Sequence, residues 1–183
     1  SAASDVYKRQ ALGVPDVALA ALEPLAAQWS ALNERIRELE RAILRQHRAD
    51  ETSRRLATIP GIGPITATAL VASVGDARNF KTGRHLAAWL GLTPREHASG
   101  LKRRQGAISK RGDAYLRRLL TLGAQSWLRH HATGGKSGDP WLSALQQRRP
   151  TPVAAAALAN KTARIAWVIM ARGETYRPRQ AAS

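Results

Sequence analysis

Between Ser99 and Arg118 the chain reads Ser-Gly-Leu-Lys-Arg-Arg-Gln-Gly-Ala-Ile-Ser-Lys-Arg-Gly-Asp-Ala-Tyr-Leu-Arg-Arg, two serines set among glycines and cations. Lys102, Arg103, Arg104, Lys110, Arg111, Arg117 and Arg118 supply charge that a polyanion would neutralise, and the glycines let backbone approach a ligand. A phosphodiester would sit in such a loop, with Ser99 either lying beside it or attacking it. Gly100 beside Ser99 clears space for a pentacovalent phosphorus, and nearby guanidinium groups would stabilise the charge growing on it. Ser109, in Ile-Ser-Lys-Arg-Gly-Asp, is the second serine of the stretch, and a serine just before a glycine and a helix start commonly caps the helix or binds phosphate. A serine hydroxyl needs a base or a metal to take its proton. His97 is two residues from Ser99, a position that equally suits contact with nucleic acid or solvent.

A second phosphate-facing feature lies upstream. Leu56, Ile59, Gly61, Ile62, Gly63, Ala67 and Leu70 have the spacing of a helix-hairpin-helix unit, in which two helices pack around Ile62 and a Gly-x-Gly turn presents amides at a helix N-terminus. Orphan N–H groups and the positive end of the helix dipole favour a phosphate oxygen there without reading any base. Thr66 and Thr68 could add hydroxyl donors. The bland alternative is a helical hairpin whose glycines only permit close packing.

These residues need a scaffold, and the sequence predicts one built of helices. From Leu22 to Ile43 apolar residues fall at 22, 25, 29, 32, 36, 39 and 43, a heptad seam flanked by mixed charge, which predicts a long helix in a coiled-coil dimer, with packing on its own domain as the alternative. The pattern runs on towards Leu56 and halts at Pro60-Gly61-Ile62-Gly63-Pro64. A second helix of small apolar residues ends near Gly75-Asp76, and a short third starts about Thr82 and stops at Gly91. Asp113 can cap a fourth, with Leu116, Leu119, Leu120, Gly123, Ala124 and Trp127 inward. The last helix runs from about Val153 to Ala171 around Leu158, Ile165, Val168 and Ile169. Trp89, Trp127 and Trp167 fall on apolar faces and are expected in the core. No strand is expected.

The expected fold is therefore all-α: a coiled-coil helix over residues 16–51, a helix-hairpin-helix domain over 52–131, a loop region over 132–152, and a C-terminal helix and tail over 153–183. Residues 1–15 are expected to be unstructured, and Asp5-Val-Tyr-Lys-Arg-Gln resembles translated sequencing adaptor. The 183 residues carry 29 basic and 13 acidic side chains, a net +16, which favours nucleic acid over a small acidic substrate. There is no cysteine, which excludes disulfides and thiolate metal sites. No apolar run is expected to approach the roughly 20 residues of a membrane span, so no membrane partner is expected.

Taken in order, the turn at Ile59 to Pro64, Phe80-Lys81, His85-Leu-Ala-Ala-Trp-Leu-Gly-Leu-Thr-Pro94, Ser99-Gly100, Ile108-Ser-Lys-Arg-Gly-Asp113 and Leu116-Arg117 closely resemble one family. It is the C-terminal transposase domain of the insertion-sequence transposases related to the Piv DNA invertases, some of which use a bridge RNA. The resemblance covers about residues 52 to 131, and the preceding heptad helix also fits it. It implies a DNA recombinase in which a serine of this domain attacks the phosphodiester and holds the broken strand as a phosphoserine. The matching position is Ser99, directly before Gly100, with Ser109, whose motif is equally matched to the family, as the rival nucleophile. The resemblance also implies an N-terminal RuvC-like domain with a metal-binding acidic set, which residues 1 to 21 do not supply. The chain then reads as an N-terminally truncated fragment, inactive alone, with no metal of its own and Mg²⁺ expected only with that domain. The resemblance implies DNA as partner and, as in some of the family, a guide RNA, in a prokaryotic cytoplasm at the nucleoid; the heptad seam adds a second copy through residues 22–43. Two other functions use the same cations. One is a non-catalytic helix-hairpin-helix DNA-binding module; the other, an RNA-binding structural protein, explains the heptads and the Ser-Gly loop least well.

Overall fold

Apolar steps of three and four produce one continuous helix, α1 (Asp16–Ala49). The computed structural model describes residues 15–99, 102–132 and 140–178, without side chains at 16, 97–99, 102–105 and 131–132. Two units are distinguished, Ser1–Ala42 and Ile43–Ser183. In the first, the seam residues Leu22, Leu25, Trp29, Leu32, Ile36 and Leu39 are each between 52% and 71% exposed, an apolar stripe that the described chain leaves uncovered. Arg35 pairs with Glu38 at 2.7 Å and Arg41 with Glu34 at 2.8 Å. Exposed pairs of this kind contribute about 0–1 kcal/mol at most.

In the second unit Asp50 ends α1 and caps α2 (Glu51–Leu56), its Oδ1 accepting from the Ser53 amide at 2.7 Å. A turn leads to α3 (Pro64–Val74), which stops at Gly75 with φ of 60°. Asp76 then caps a 3-10 turn (Ala77–Asn79), and hydrogen bonds from the Arg78 side chain and amide hold its carboxyl below the usual value. Thr82 caps α4 (Gly83–Trp89), its hydroxyl accepting from His85 N at 3.3 Å.

The chain next forms two strands, contrary to the all-helical expectation. β1 (Pro94–Ser99) and β2 (Lys102–Ile108) pair antiparallel from Pro94↔Ile108 to Ser99↔Lys102, with an irregularity between Pro94 and Glu96. Beyond them lie α5 (Ala114–Ala132), α6 (Pro140–Arg148) and α7 (Thr151–Arg172). Part of the expected 132–152 loop is thus α6, which buries Leu142 and Leu145; residues 133–139 lie outside the described residues.

The core is organised around α7, which packs against α2, the 3-10 turn, α4, α5 and α6. Its inward stripe is Ala154, Ala155, Leu158, Ala159, Thr162, Ala163, Ala166 and Ile169. Small side chains let neighbouring backbones close in, and a Cβ on Gly83 would stand 2.9 Å from Arg164 O. By length and composition α7 could cross a membrane, with an 18-residue window of mean hydropathy 1.2, which corrects the expectation that no apolar run is long enough. Its eight buried residues show the apolarity serving the core. Trp127 is buried, and Trp167 is half-buried with Nε1 donating to Ala77 O and Phe80 O at 2.9 and 3.1 Å. Trp89 departs from expectation: it is 39% exposed and, among the described aromatic contacts, meets only Phe80, in a T-shaped arrangement.

Candidate nucleic-acid interface

The two serines proposed as nucleophiles stand at opposite ends of the hairpin. Ser99 ends β1 opposite Lys102, with only Gly100 and Leu101, outside the described residues, between them. Ser109 follows β2 at the stem, its amide donating to Thr93 O at 2.8 Å and its carbonyl accepting from Arg95 Nη2 at 3.1 Å. Six strand steps lead from Thr93 to Ser99, so the backbones of the two serines stand about 20 Å apart along the ribbon, too far for both to serve one phosphorus. In β2, Lys102, Arg103 and Arg104 face Ser99, Ala98 and His97 in register. Side chains of these six lie outside the described residues.

The stem is seated by backbone. Lys110, with φ of 55°, donates its amide to Gly91 O at 3.1 Å, and a Cβ on Gly91 would stand 2.7 Å from Arg111 O. On Gly112 a Cβ would fall 1.9 Å from Trp89 O. Only glycine permits that approach and its φ of 145°. Asp113 Oδ1 accepts from Leu116 N at 2.8 Å and so starts α5. Arg117, one turn in, is half-buried and its Nη1 donates to Leu90 O, Gly112 O and Asp113 O at 3.2, 3.4 and 3.5 Å. By contrast Lys110, Arg111 and Arg118 are exposed, and none has an ion-pair partner among the described residues. From Ala77 to Arg118 the only acidic residues are Glu96 and Asp113, so this stretch has little to neutralise its cations internally.

At the upstream turn the glycines divide their roles. Gly61, with φ of 85°, lies on α5: a Cβ there would stand 2.8 Å from Gly123 O, and one on Gly123 would stand 1.9 Å from Gly61 O. Gly63 has open space around its Cα, is exposed, and begins α3 with no side-chain cap and Pro64 at the first turn. Thr66 is buried, and Thr68 Oγ1 donates to Pro64 O at 2.8 Å. Sequence reasoning missed the pair behind them, His47 Nδ1 to Ser53 Oγ at 2.7 Å. By type it is a base and a nucleophile, but Ser53 is 1% exposed and also reaches Thr68 Oγ1 at 3.4 Å, so the pair links α1, α2 and α3.

A cleft of about 450 Å³ opens beside the stem, lined by Arg84, Ala87, Thr93, Pro94, Glu96 and Asn160. Among the described residues no three His, Cys, Asp or Glu side chains come together to hold a metal ion. Among the described residues no ligand set fits the Mg²⁺ that the family resemblance implies.

Residues 53–139 match the family model described as Transposase IS116/IS110/IS902 family. A probable family 20 transposase of Pseudomonas aeruginosa is 50% identical over 157 residues, 86% of this chain and 46% of the relative. The transposase for insertion sequence element IS1111A of Coxiella burnetii is 43% identical over 145 residues, 79% of this chain and 40% of the relative. A pilin gene-inverting protein of Moraxella bovis is 43% identical over 70 residues, 38% of this chain and 22% of the relative. The chain spans less than half the length of these relatives.

Proposed function

We infer that this chain, whose residues 53–139 carry a transposase domain of the IS116/IS110/IS902 kind, grips the DNA backbone and supplies Ser99 as the nucleophile for strand cleavage and rejoining. The observation that carries the choice of serine is the hairpin register. It puts Ser99 at the far end of a ribbon opposite Lys102, and Ser109 at the stem, where its amide and carbonyl are engaged. A hydroxyl that must reach a phosphorus inside a polymer belongs on a projecting element. One that helps seat a turn belongs at its base.

In the proposed step Ser99 Oγ loses its proton and bonds to phosphorus, and one bridging deoxyribose oxygen leaves as an alcohol after taking up a proton. The strand is then held as a phosphoserine diester, and attack by a deoxyribose hydroxyl on that phosphorus rejoins DNA and returns the serine. The phosphodiester count is unchanged, which suits recombination without an energy source. Lys102, Arg103 and Arg104 on β2, with Lys110, Arg111 and Arg118 near the stem, would neutralise neighbouring phosphates. The amides at Gly63 and the start of α3 would add a grip that reads no base. Gly61 and Thr66 support that turn from within. The proton acceptor and any Mg²⁺ belong to a partner domain, so the site is composite, and this chain alone binds without cleaving. A guide RNA, a second copy joined through residues 22–43, and a cytoplasmic, nucleoid-associated setting complete the proposal.

The test is a chimaera in which this chain replaces the matching part of the Pseudomonas aeruginosa transposase, given Mg²⁺, its DNA ends and any guide RNA it requires. A protease-sensitive covalent DNA adduct is expected, lost in Ser99→Ala and kept in Ser109→Ala. The reverse pattern would move the nucleophile to the stem. No adduct in any version of an otherwise DNA-binding chimaera would favour a binding module without chemistry.

A further inference from the structure

Arg117 reads from sequence as another cation for phosphate, yet its Nη1 lies on three backbone carbonyls. Those carbonyls belong to three consecutive parts of the hairpin's seat. Leu90 O ends α4, Gly112 O closes the turn that follows β2, and Asp113 O starts α5. The same seat holds the close backbone approaches of Gly91 to Arg111 and of Gly112 to Trp89. It also holds the amide bonds from Lys110 to Gly91 and from Ser109 to Thr93. A cation is well placed at the carbonyl end of a helix, and Nη1 shares its two hydrogens among the three carbonyls at 3.2 to 3.5 Å.

We propose that Arg117 is a positioning residue: by tying the end of α4 to the turn after β2 and the start of α5, it sets the direction of the β1–β2 ribbon and so the place of Ser99 against DNA. This rests on the assignment of Ser99 above. The hairpin acts as a lever. Over about 20 Å from stem to tip, a tilt of about 5° at the stem moves Ser99 by about 1.7 Å, and a misplacement of about 1 Å can cost about 10²-fold in rate. Arg117 therefore governs how fast a bound phosphate is met, not how tightly DNA is held.

The absence of cysteine from this chain gives a test that needs no partner domain. In Ser99→Cys the thiol is unique, and it is offered a duplex carrying one disulfide-linked tether on a backbone phosphate. The thiolate attacks the tether disulfide, a protein–DNA disulfide forms, and the outer thiol leaves. With Arg117 present, cross-linking is expected to saturate with DNA. Adding Arg117→Ala should lower the rate at saturation by about tenfold or more while the half-saturating concentration stays within about twofold, and Arg117→Lys should recover part of the rate. The salt slope of duplex binding should be unchanged by Arg117→Ala, whereas loss of a phosphate contact lowers it by about one. In the same variant the Ser109 and Lys110 amides should exchange with solvent faster. If Arg117→Ala unfolds the chain, Arg117→Lys carries the test and should still show a reduced saturating rate. An unchanged saturating rate, or a salt slope reduced by one, overturns the positioning role. No cross-link at all with Arg117 intact, in a chain that binds the duplex, refutes the Ser99 assignment instead.

Discussion

Alanine at Gly123 should destabilise this protein although it stands inside a helix, where the exchange ordinarily helps. Intrinsic propensity favours alanine by about 1 kcal/mol in α5. Against that, the new Cβ would stand 1.9 Å from Gly61 O, where ordinary contact begins at 3.4 Å. The turn and the helix must then part by about 1.5 Å, a gap that forfeits a large share of the local dispersion energy. Ile62 and Leu120 flank this contact at 4% and 1% exposure. Overpacking typically costs about 1–3 kcal/mol, and here both partners are backbone and cannot swing aside. Adding partial loss of contact at Ile62 and Leu120 brings the cost to about 3–4 kcal/mol, for a net loss of about 2–3 kcal/mol after the propensity gain. At about 3–5 °C per kcal/mol for a unit of this size, Tm should fall by about 10 °C. Thermal and urea melts followed by helical circular dichroism measure it. Gly63→Ala is the control: nothing lies within 4 Å, φ is −91°, and the cost should stay below about 1 kcal/mol. A Gly123→Ala protein as stable as its parent would refute the assignment of Gly61 to packing and return it to the phosphate-facing turn.

Duplex binding by the chain should weaken linearly in log affinity against log salt, and Lys110→Ala, Arg111→Ala and Arg118→Ala should each reduce that slope by about one in fluorescence anisotropy. Three unchanged slopes would remove the stem loop from the interface. The exposed seam of α1 should make the chain a dimer by sedimentation at micromolar concentration, with Ile36→Glu shifting it to monomer. A monomeric parent would end the claim of a second copy.

Local chemistry made the helices legible. Thr82 and Asp113 cap where a hydroxyl and a carboxylate before an apolar period predict, and Gly75 and Gly91 stop helices with positive φ. The hairpin was not legible, because Pro94 to Ile108 carries arginine, lysine, glutamate and histidine in place of alternating β-branched residues. Its one signal was Gly100 as the first of two residues between segments that pair, a pattern hairpin turns favour. Within α6 the pattern is short and interrupted, so packing of Leu142 and Leu145 decides it. The roles of Gly61 and Arg117 depend on partners far along the chain, Gly123 and Leu90, and no window of local sequence contains both members. Charge showed that a polyanion fits. It did not show which cations are already engaged by the protein's own carbonyls.

The central claim is that Ser99 bonds to phosphorus, and tryptic mapping of the chimaera's covalent DNA adduct tests it most directly. Cleavage after Arg95 and Lys102 releases Glu96-His-Ala-Ser-Gly-Leu-Lys102, which holds Ser99 alone, while Gln105-Gly-Ala-Ile-Ser-Lys110 holds Ser109 alone. After nuclease digestion, mass spectrometry should find the residual nucleotide on the Glu96–Lys102 peptide. A nucleotide on the Gln105–Lys110 peptide, with Glu96–Lys102 unmodified, would contradict the account.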